Sequence, residues 1–511
     1  MMKKLFKAQA ESITRASIVI SISTFVSRLL GFLRQMLIAY YYGAKAITDA
    51  FFVANVLPGL FTSLIDSIPT VFVPVFLQEK QVYGEHRAWE GTRKVFGIVF
   101  LYLFFAFFLG IILTPYALRI LVPGFEPKRY SLALTMSYAM LPVMFVQGMY
   151  GLLQSIYHVY RVFSLPNVMI LLVNVSLITF LVLFNNNPVV SLVIGYVVSL
   201  GIYVFLLTII AKKKWPNFGF DYSFRDPMIK KIFTLLIPIY LGSSLSYLNL
   251  FIDRVFASML PEGSVSALNY AIIVKDVPIS LFAGPMSQVV YPATATQIAQ
   301  GKLENVRALI SRSLEAIWLF VIPTSIGFLI LPEQTIRFVY ERGLFNVVAT
   351  TLTAQALFFY TLGTLANASV GVISRTFFSL NDTKTPVKVS AVALVLNIVL
   401  NSFLVKRYKH IGLALATSIS SIVATILLFE LLRRKLKSLN AKELLKNTIK
   451  IILASICIVP VLLIMSQKAN TFFGYLSTVG ISALIYSIAL FILKPRSVEM
   501  IIFKIKARSI K

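Results

Sequence analysis

Stretches of about twenty largely apolar residues recur from one end of this chain to the other, and that recurrence decides which solvent it folds in. A helix needs roughly 20 apolar residues to cross the hydrocarbon core of a bilayer. Candidate spans lie near 13–41, 47–77, 95–122, 131–158, 166–185, 189–211 and 232–259, and continue near 267–296, 308–331, 351–378, 386–405, 411–432, 447–466 and 471–493. Hydrophobic residues make up 58% of the 511 and charged residues 13%, far too few charges to cover a soluble protein of this size. In lipid each spanning segment must satisfy its own backbone polar groups, so the predicted fold class is all-α integral membrane with about fourteen transmembrane helices. The first two segments and the eighth are long and hold Gly, Pro or charge, which predicts tilting, kinking or partial unwinding. The first exceeds a signal-peptide core and lacks a small-residue cleavage site, so it reads as a retained helix.

The net charge of +28 is placed at the ends of the apolar segments. Nucleic-acid binding would call for a basic patch interleaved with aromatic residues, which is missing, so nucleic acid is not an expected partner. Basic ends instead suit membrane lipids and set orientation. The connections KKKWPNFGFDYSFRDPMIKK and RRKLKSLNAKELLKNTIK and the tail KPRSVEMIIFKIKARSIK, all on the side of the N-terminus, hold many of the 48 Lys and Arg. The intervening loops, such as NNNP and LPEGSVS, are short and poor in charge. Both termini are therefore expected in the cytoplasm and the chain in the plasma membrane, crossing it many times. The single cysteine, Cys457, permits no intramolecular disulfide and no cysteine metal cluster. His86, His158 and His410 fall far apart in connections, no P-loop or metal-ligand spacing occurs, and no Ser or Thr has a base partner. Enzyme activity is not expected.

An internal repeat organises the spans. Pro58 and Pro278 are 220 residues apart, as are Pro166 and Pro386, within FFVANVLPGLFTSLIDSIPTVFVPVF and LNYAIIVKDVPISLFAGPMSQVVYPA for the first pair. An even number of spans per repeat gives both copies the same orientation, hence parallel repeats. The predicted domains are an N-terminal six-helix lobe at 1–215, a C-terminal six-helix lobe at 216–435, and a C-terminal helix pair with a basic tail at 436–511.

Three polar clusters fall where lipid or packed helix is expected. Charge at membrane depth costs roughly 2.5–3.5 kcal/mol on insertion scales and so usually faces a cavity. The first cluster is Ser27, Arg28, Arg34 and Asp49, with Asp66 in the second segment. Arg28 and Arg34 are six residues apart, so they stand about 120° from each other on a helix and border one cavity from neighbouring faces. Arginine suits phosphate, because its planar fork binds oxygens in pairs and stays charged. The plainer alternatives are snorkelling to an interface or pairing with Asp49. The second cluster is Asp253, Asn397, Asn401 and Thr417. A carboxylate with amide and hydroxyl oxygens makes a shell for a hard cation, while interhelical hydrogen bonding, or an Asp253 pair with Arg254, would account for the same residues. The third is Lys275 with Asp276, adjacent and so expected on different faces, Lys275 either lining the cavity or sitting near an interface.

SRLLGFLR at 27–34 and YYGAKAITDAFFVANVLP at 41–58 resemble the N-terminal signature of the MurJ/MviN family, and FVPVF at 72–76 continues it. GSVSALNYA at 263–271, RFVYERGLF at 337–345, NDTKTPVK at 381–388 and IGLALATSIS at 411–420 match in the same order. The resemblance covers about 10–495 and places the chain, as a divergent member, in the multidrug/oligosaccharidyl-lipid/polysaccharide exporter superfamily. It implies two six-helix lobes around a central cavity, with a terminal helix pair forming a groove for a lipid tail. The implied substrate is lipid II, an undecaprenyl-pyrophosphate-linked peptidoglycan precursor, flipped from the cytoplasmic to the outer leaflet. Ser27, Arg28, Arg34 and Asp49 fall on matching family positions. Asp253, Asn397, Asn401, Thr417 and the backbone at Leu413 fall where some members are described with bound sodium. Thr62, Ser63 and Ile273 stand where the family commonly has arginine.

The expected function is thus a lipid II flippase working by alternating access, with cell-wall synthesis enzymes as further partners. An exporter of another lipid-linked glycan, or a cation-coupled exporter of small molecules, is the alternative within the transporter class. Outside that class stand a non-transporting scaffold for cell-wall synthesis and an integral-membrane transferase. The buried charges argue against a scaffold, and no acid or histidine at a membrane face stands out for a transferase.

Overall fold

The computed structural model describes residues 13–499 except 216, 224, 439, 440 and 497, and among them every regular element is a helix. They pack as two compact units, 1–266 and 267–511. The expected lobes follow the sequence repeat, a different criterion from packing.

In the first unit α1 (Ile13–Tyr42) runs without a break, so it does not unwind as its length and composition suggested. The second expected span does break, into α2 (Ala46–Ala54), α3 (Val56–Asp66) and α4 (Ile68–Tyr83), with interruptions at Asn55 and Ser67. Pro58 and Pro69 lie in the first turns of α3 and α4, where a missing N–H costs nothing and the fixed φ helps a helix begin. Then come α5 (Glu85–Leu121), α6 (Pro127–Met140), α7 (Pro142–Val159), α8 (Ser164–Leu183), a π turn (Val189–Ile194), α9 (Gly195–Lys214) and α10 (Pro227–Ser258). Phe72, Phe76, Phe96, Leu103, Tyr157, Tyr203 and Leu207 are buried in one core, against which α10 adds Met228 and Ile232.

The connection between α9 and α10 is strapped onto α5. The Asp221 amide donates to the Arg93 carbonyl at 2.9 Å, and Gly97 lies so close beneath that a Cβ there would meet the Asp221 carbonyl oxygen at 2.1 Å. Asp226 caps α10 by accepting from the Met228 amide at 2.9 Å and pairs with Arg87 at 2.8 Å and Lys94 at 3.2 Å. Burial pushes its carboxyl up, but Arg87, the amide and Lys94 outweigh burial and hold it below the usual range.

The second unit takes in most of α11 (Ser264–Pro278), a π turn (Ile279–Ala283) and α12 (Gly284–Ala299), so the eighth expected span is distorted just after Pro278. It continues with α13 (Leu303–Ile330), α14 (Pro332–Tyr340), and α15 (Val347–Thr361) and α16 (Thr364–Ser379), which are bent by 47°. Next is α17 (Lys384–Lys435), which leaves helical geometry at Lys409 (φ 50°, ψ −132°). The two spans expected there are joined with almost no loop, and a Cβ on Gly412 would meet the Leu404 carbonyl oxygen at 2.5 Å. The chain ends in α18 (Ala441–Ile456), α19 (Val459–Ile464) and α20 (Phe472–Leu493).

Ten of the described helices are long and apolar enough to cross a membrane, eleven when α15 and α16 count as one bent span. The all-α membrane class therefore stands, while fourteen crossings are not confirmed. The broken α2–α4 segment and α10 miss the criterion, and α17 passes it as one helix although it holds two expected spans. Large apolar side chains such as Phe105, Ile112, Phe205, Phe403, Ile464 and Phe473 point outward, as a hydrocarbon solvent allows.

Asp382, at the start of α17, accepts from the Thr385 amide (3.0 Å) and hydroxyl (2.8 Å) and pairs with Lys435 at 2.7 Å. Burial raises its carboxyl, but Lys435 and Thr385 outweigh burial and bring it from 3.8 down to about 2. A depressed acid stabilises the fold above its unfolded pKa and ceases to as pH falls through the folded one. Wild type should therefore lose thermal stability relative to Asp382→Asn between about pH 4 and pH 2. The difference at neutral pH should be small, because Lys435 is 39% exposed and water screens the pair. Parallel melting curves at every pH would refute this role.

Candidate substrate cavity and buried charge network

The first unit builds a small cleft of mixed polar and apolar lining from α1, α2, α8 and α9. Ser27 and Arg34, seven residues apart, share one face of α1. On that face α8 comes close: the Asn174 amide donates to the Ser27 hydroxyl at 3.0 Å, and a Cβ on Gly31 would stand 3.8 Å from the Asn174 carbonyl oxygen. Further along, Arg34 lines a cavity of about 90 Å3 with Gln35, Asn55, Ser191 and Tyr196, walled by Phe51, Phe52, Leu177 and Leu181. Arg34 is the charged residue in this lining, and the Gln35 carbonyl oxygen has no hydrogen-bond partner among the described residues. The volume holds roughly three waters at about 30 Å3 each. It suits one small polar group, and a whole glycan is far too large for it.

Arg28 is half-buried on the neighbouring face of α1 and is not part of this lining. The two arginines therefore do not border this cavity together, as the 120° offset had allowed. Neither has a carboxylate partner among the described residues, and the alternative that one of them pairs with Asp49 is overturned. Asp49, with no exposed surface, pairs instead with Arg129 of α6. Its two oxygens also accept from the Gly263 amide at 2.7 Å, and from the Ser266 amide at 2.7 Å and the Ser266 hydroxyl. Those amides sit at the start of α11, Gly263 just before it and Ser266 in its first turn, where unsatisfied N–H groups and the helix dipole favour an anion. All of its hydrogen bonds go to the chain itself, so Asp49 acts as a buried tie and presents no free oxygen to the cavity. The Arg129 guanidinium is held from the other side by the Phe125 ring, 3.8 Å from the centroid. Asp66 ends α3, and its side chain lies outside the described residues.

In the second unit Lys275 is buried, but its amine reaches Asp276 at 2.8 Å and lies 5.8 Å from the Tyr360 ring centroid. Adjacent positions were expected to point apart, but the long flexible lysine stem curls back to its neighbour. Within α17, the Asn401 amide donates to the Asn397 carbonyl oxygen at 2.9 Å, and the Asn397 amide to the Thr417 hydroxyl at 3.4 Å. The Thr417 hydroxyl donates to the Leu413 carbonyl at 3.0 Å. Four of the five residues considered for a cation thus sit together as a ladder of hard oxygen donors. The fifth, Asp253, is half-buried in α10 of the first unit. Among the described residues no group of three or more His, Cys, Asp or Glu is placed to hold a metal ion.

A groove of about 580 Å3 runs between α13 and the terminal helices. Leu319, Pro323, Gly327 and Phe328 form one wall, and Ile458, Leu462, Val479 and Leu490 the other. The size falls in the range of ligand clefts, about 300–1,000 Å3, and the lining is overwhelmingly apolar. The terminal pair does form a groove, with α13 as its second wall. Sequence reasoning missed Arg129 and Asn174. Arg129 lies two residues past the α6 start in what read as a connection, and Asn174 is a lone amide in an apolar run that only packing gives a partner.

A many-helix membrane chain with an arginine lining a cleft and a separate apolar groove has the parts of a multi-pass transporter for an amphiphile. The comparisons agree. A profile for the family "Lipid II flippase MurJ" matches residues 38–492, and the chain belongs to that family. Among curated relatives, the "Probable lipid II flippase MurJ" of Buchnera aphidicola is 28% identical over 464 residues, covering 88% of this chain and 89% of that protein. The protein of the same name from Rickettsia prowazekii is 27% identical, covering 80% and 81%. Among solved structures, one titled "Lipid II flippase MurJ, inward closed conformation" aligns with a TM-score of 0.78 at 24% identity, covering 93% of this chain and 98% of that one. An inward-facing multidrug resistance MATE transporter of the MOP superfamily aligns with a TM-score of 0.67 at 12% identity, covering 83% and 99%. At those identities the structures establish the fold.

Removing one partner of a buried ion pair costs about 3–5 kcal/mol. Asp49→Ala strands Arg129 and two backbone amides, so it should lower stability by about that much, measured as thermal unfolding of the purified protein. A variant that melts with wild type would show that Asp49 is not a tie.

Proposed function

We propose that this chain is a lipid II flippase, carrying the precursor from the cytoplasmic to the outer leaflet of the bacterial plasma membrane with both termini in the cytoplasm. The observation that carries the reading is Arg34, a cation with no carboxylate partner among the described residues, lining a cleft of mixed polar and apolar side chains inside an apolar helix unit. A fixed charge left unpaired in such a place costs stability and is kept for a ligand. A phosphate fits: guanidinium binds phosphate oxygens bidentately and does not deprotonate. Arg34 meets a headgroup phosphate in the cleft, Arg28 stands on the adjoining face of α1 outside it, and the polyprenyl tail lies in the groove beside Leu319 and Leu490. Both parts of an amphiphile are thereby accommodated without a covalent step.

Alternating access between lobes 1–215 and 216–435, with the pair at 436–511 holding the tail, supplies the transport cycle. The ladder of Asn397, Asn401, Leu413 and Thr417 offers oxygens of the type sodium prefers and would bind a sodium ion that biases the cycle. Delivery of the product on the outer face makes cell-wall synthesis enzymes the natural partners. A second reading, export of a different lipid-linked glycan, is favoured by Thr62, Ser63 and Ile273. These remove cations from positions where the family commonly carries arginine, and Lys275 is already engaged by Asp276.

In proteoliposomes, Arg34→Ala should lower the rate of lipid II translocation at least about tenfold, the loss of one charge-assisted contact worth about 1.4 kcal/mol or more, with the protein still inserted. Arg34→Lys should fall between, keeping charge without the fork. Full activity in both Arg28→Ala and Arg34→Ala would sink the assignment.

A further inference from the structure

Glu315 lies midway along α13, and its side chain is 1% exposed. One carboxyl oxygen accepts from the Asn447 amide of α18 at 3.0 Å, and Asn447 is itself buried. The other oxygen has no hydrogen-bond partner among the described residues. The cations within reach are engaged elsewhere or face solvent. Arg496 pairs with Glu443 of α18, the Lys450 amine donates to the Lys494 carbonyl at 2.9 Å, and Arg312 on α13 itself is exposed. Among the described residues no ion pair reaches Glu315 from α12, α14, α15, α16 or α19, the other helices packed on α13. Buried Ile310, Leu314, Leu444 and Ile451 occupy the same seam.

An ionised carboxylate in such a place would need a cation or several N–H donors, and it has one amide. The neutral acid needs far less: its carbonyl oxygen takes the Asn447 amide, and its hydroxyl stays in the seam. We propose that Glu315 is a proton-binding site, holding a proton at neutral pH and thereby keeping α18 closed on α13. The Asn447 carbonyl oxygen accepts from the Arg496 amide at 3.4 Å, so the same side chain also reaches the segment after α20. One turn beyond Glu315, Leu319 lines the apolar groove and its carbonyl accepts from the Tyr486 hydroxyl at 2.6 Å. Loss of the proton would place an unpaired charge at the end of that groove and loosen the seam. The site rests on burial and hydrogen bonding alone, whatever lipid the chain carries.

The test uses the full-length protein in lipid nanodiscs. Dicyclohexylcarbodiimide reacts with protonated carboxyls in apolar surroundings, and peptide mass spectrometry locates the adduct. An adduct on Glu315 at pH 7 that declines as pH is raised, with none on exposed Glu443, supports the site. So does an infrared band of a protonated carboxyl at pH 7 that is absent from Glu315→Gln. Glu315→Gln, which mimics the neutral acid, should melt with wild type at pH 7 and lose the wild type's destabilisation at high pH. No adduct and no protonated-carboxyl band at pH 7 would overturn the proposal, as would Glu315→Gln melting as low as Glu315→Ala.

Discussion

An apolar medium offers a charge or an open backbone group no water, so each must find its partner within the same chain, and much of this structure follows from that constraint. It makes every regular element among the described residues a helix. It also explains Asp49, whose oxygens are divided among Arg129, Gly263 and Ser266. Where the second segment breaks into α2, α3 and α4, proline removes the N–H that would otherwise go unbonded. Groups that escape the constraint are the ones to examine for function. Among the described residues Arg34 forms no ion pair with an acid, and Glu315 forms none with a cation.

Much of the fold was legible because periodic apolar length is a strong signal. The segment positions, the interruptions of the second and eighth spans, and the family motifs were all read from residue order. Crossing number was harder to fix, because length and apolarity do not distinguish a broken helix from two. At Lys409 two expected spans join with almost no loop, while at Asn55 and Ser67 one expected span becomes three helices. The continuity of α1 was misjudged because Gly31 reads as a weak point in sequence. In the structure it is where α8 passes close to α1.

The site was legible in residue type and less so in partnership. Arg34 lines a cleft, and Asn397, Asn401, Leu413 and Thr417 came together. Asp49 was assigned to substrate because an acid beside two arginines looks like part of their cavity. Its true cation, Arg129, stands 80 residues away, and sequence spacing carries no trace of that contact. The Lys275–Asp276 pair failed for a different reason: positions i and i+1 diverge at the backbone, but a lysine is long enough to return. Thr62, one of the positions lacking the family's arginine, is a fully buried neutral side chain whose hydroxyl has no hydrogen-bond partner among the described residues.

The central claim is that this chain moves lipid II. The most direct measurement is depletion of the protein from cells that depend on it, followed by chemical identification of the lipid-linked precursor that builds up on the cytoplasmic leaflet. The account predicts lipid II there, with its synthesis intact and its arrival on the outer leaflet reduced. Accumulation of a different lipid-linked glycan, or of none, would contradict it.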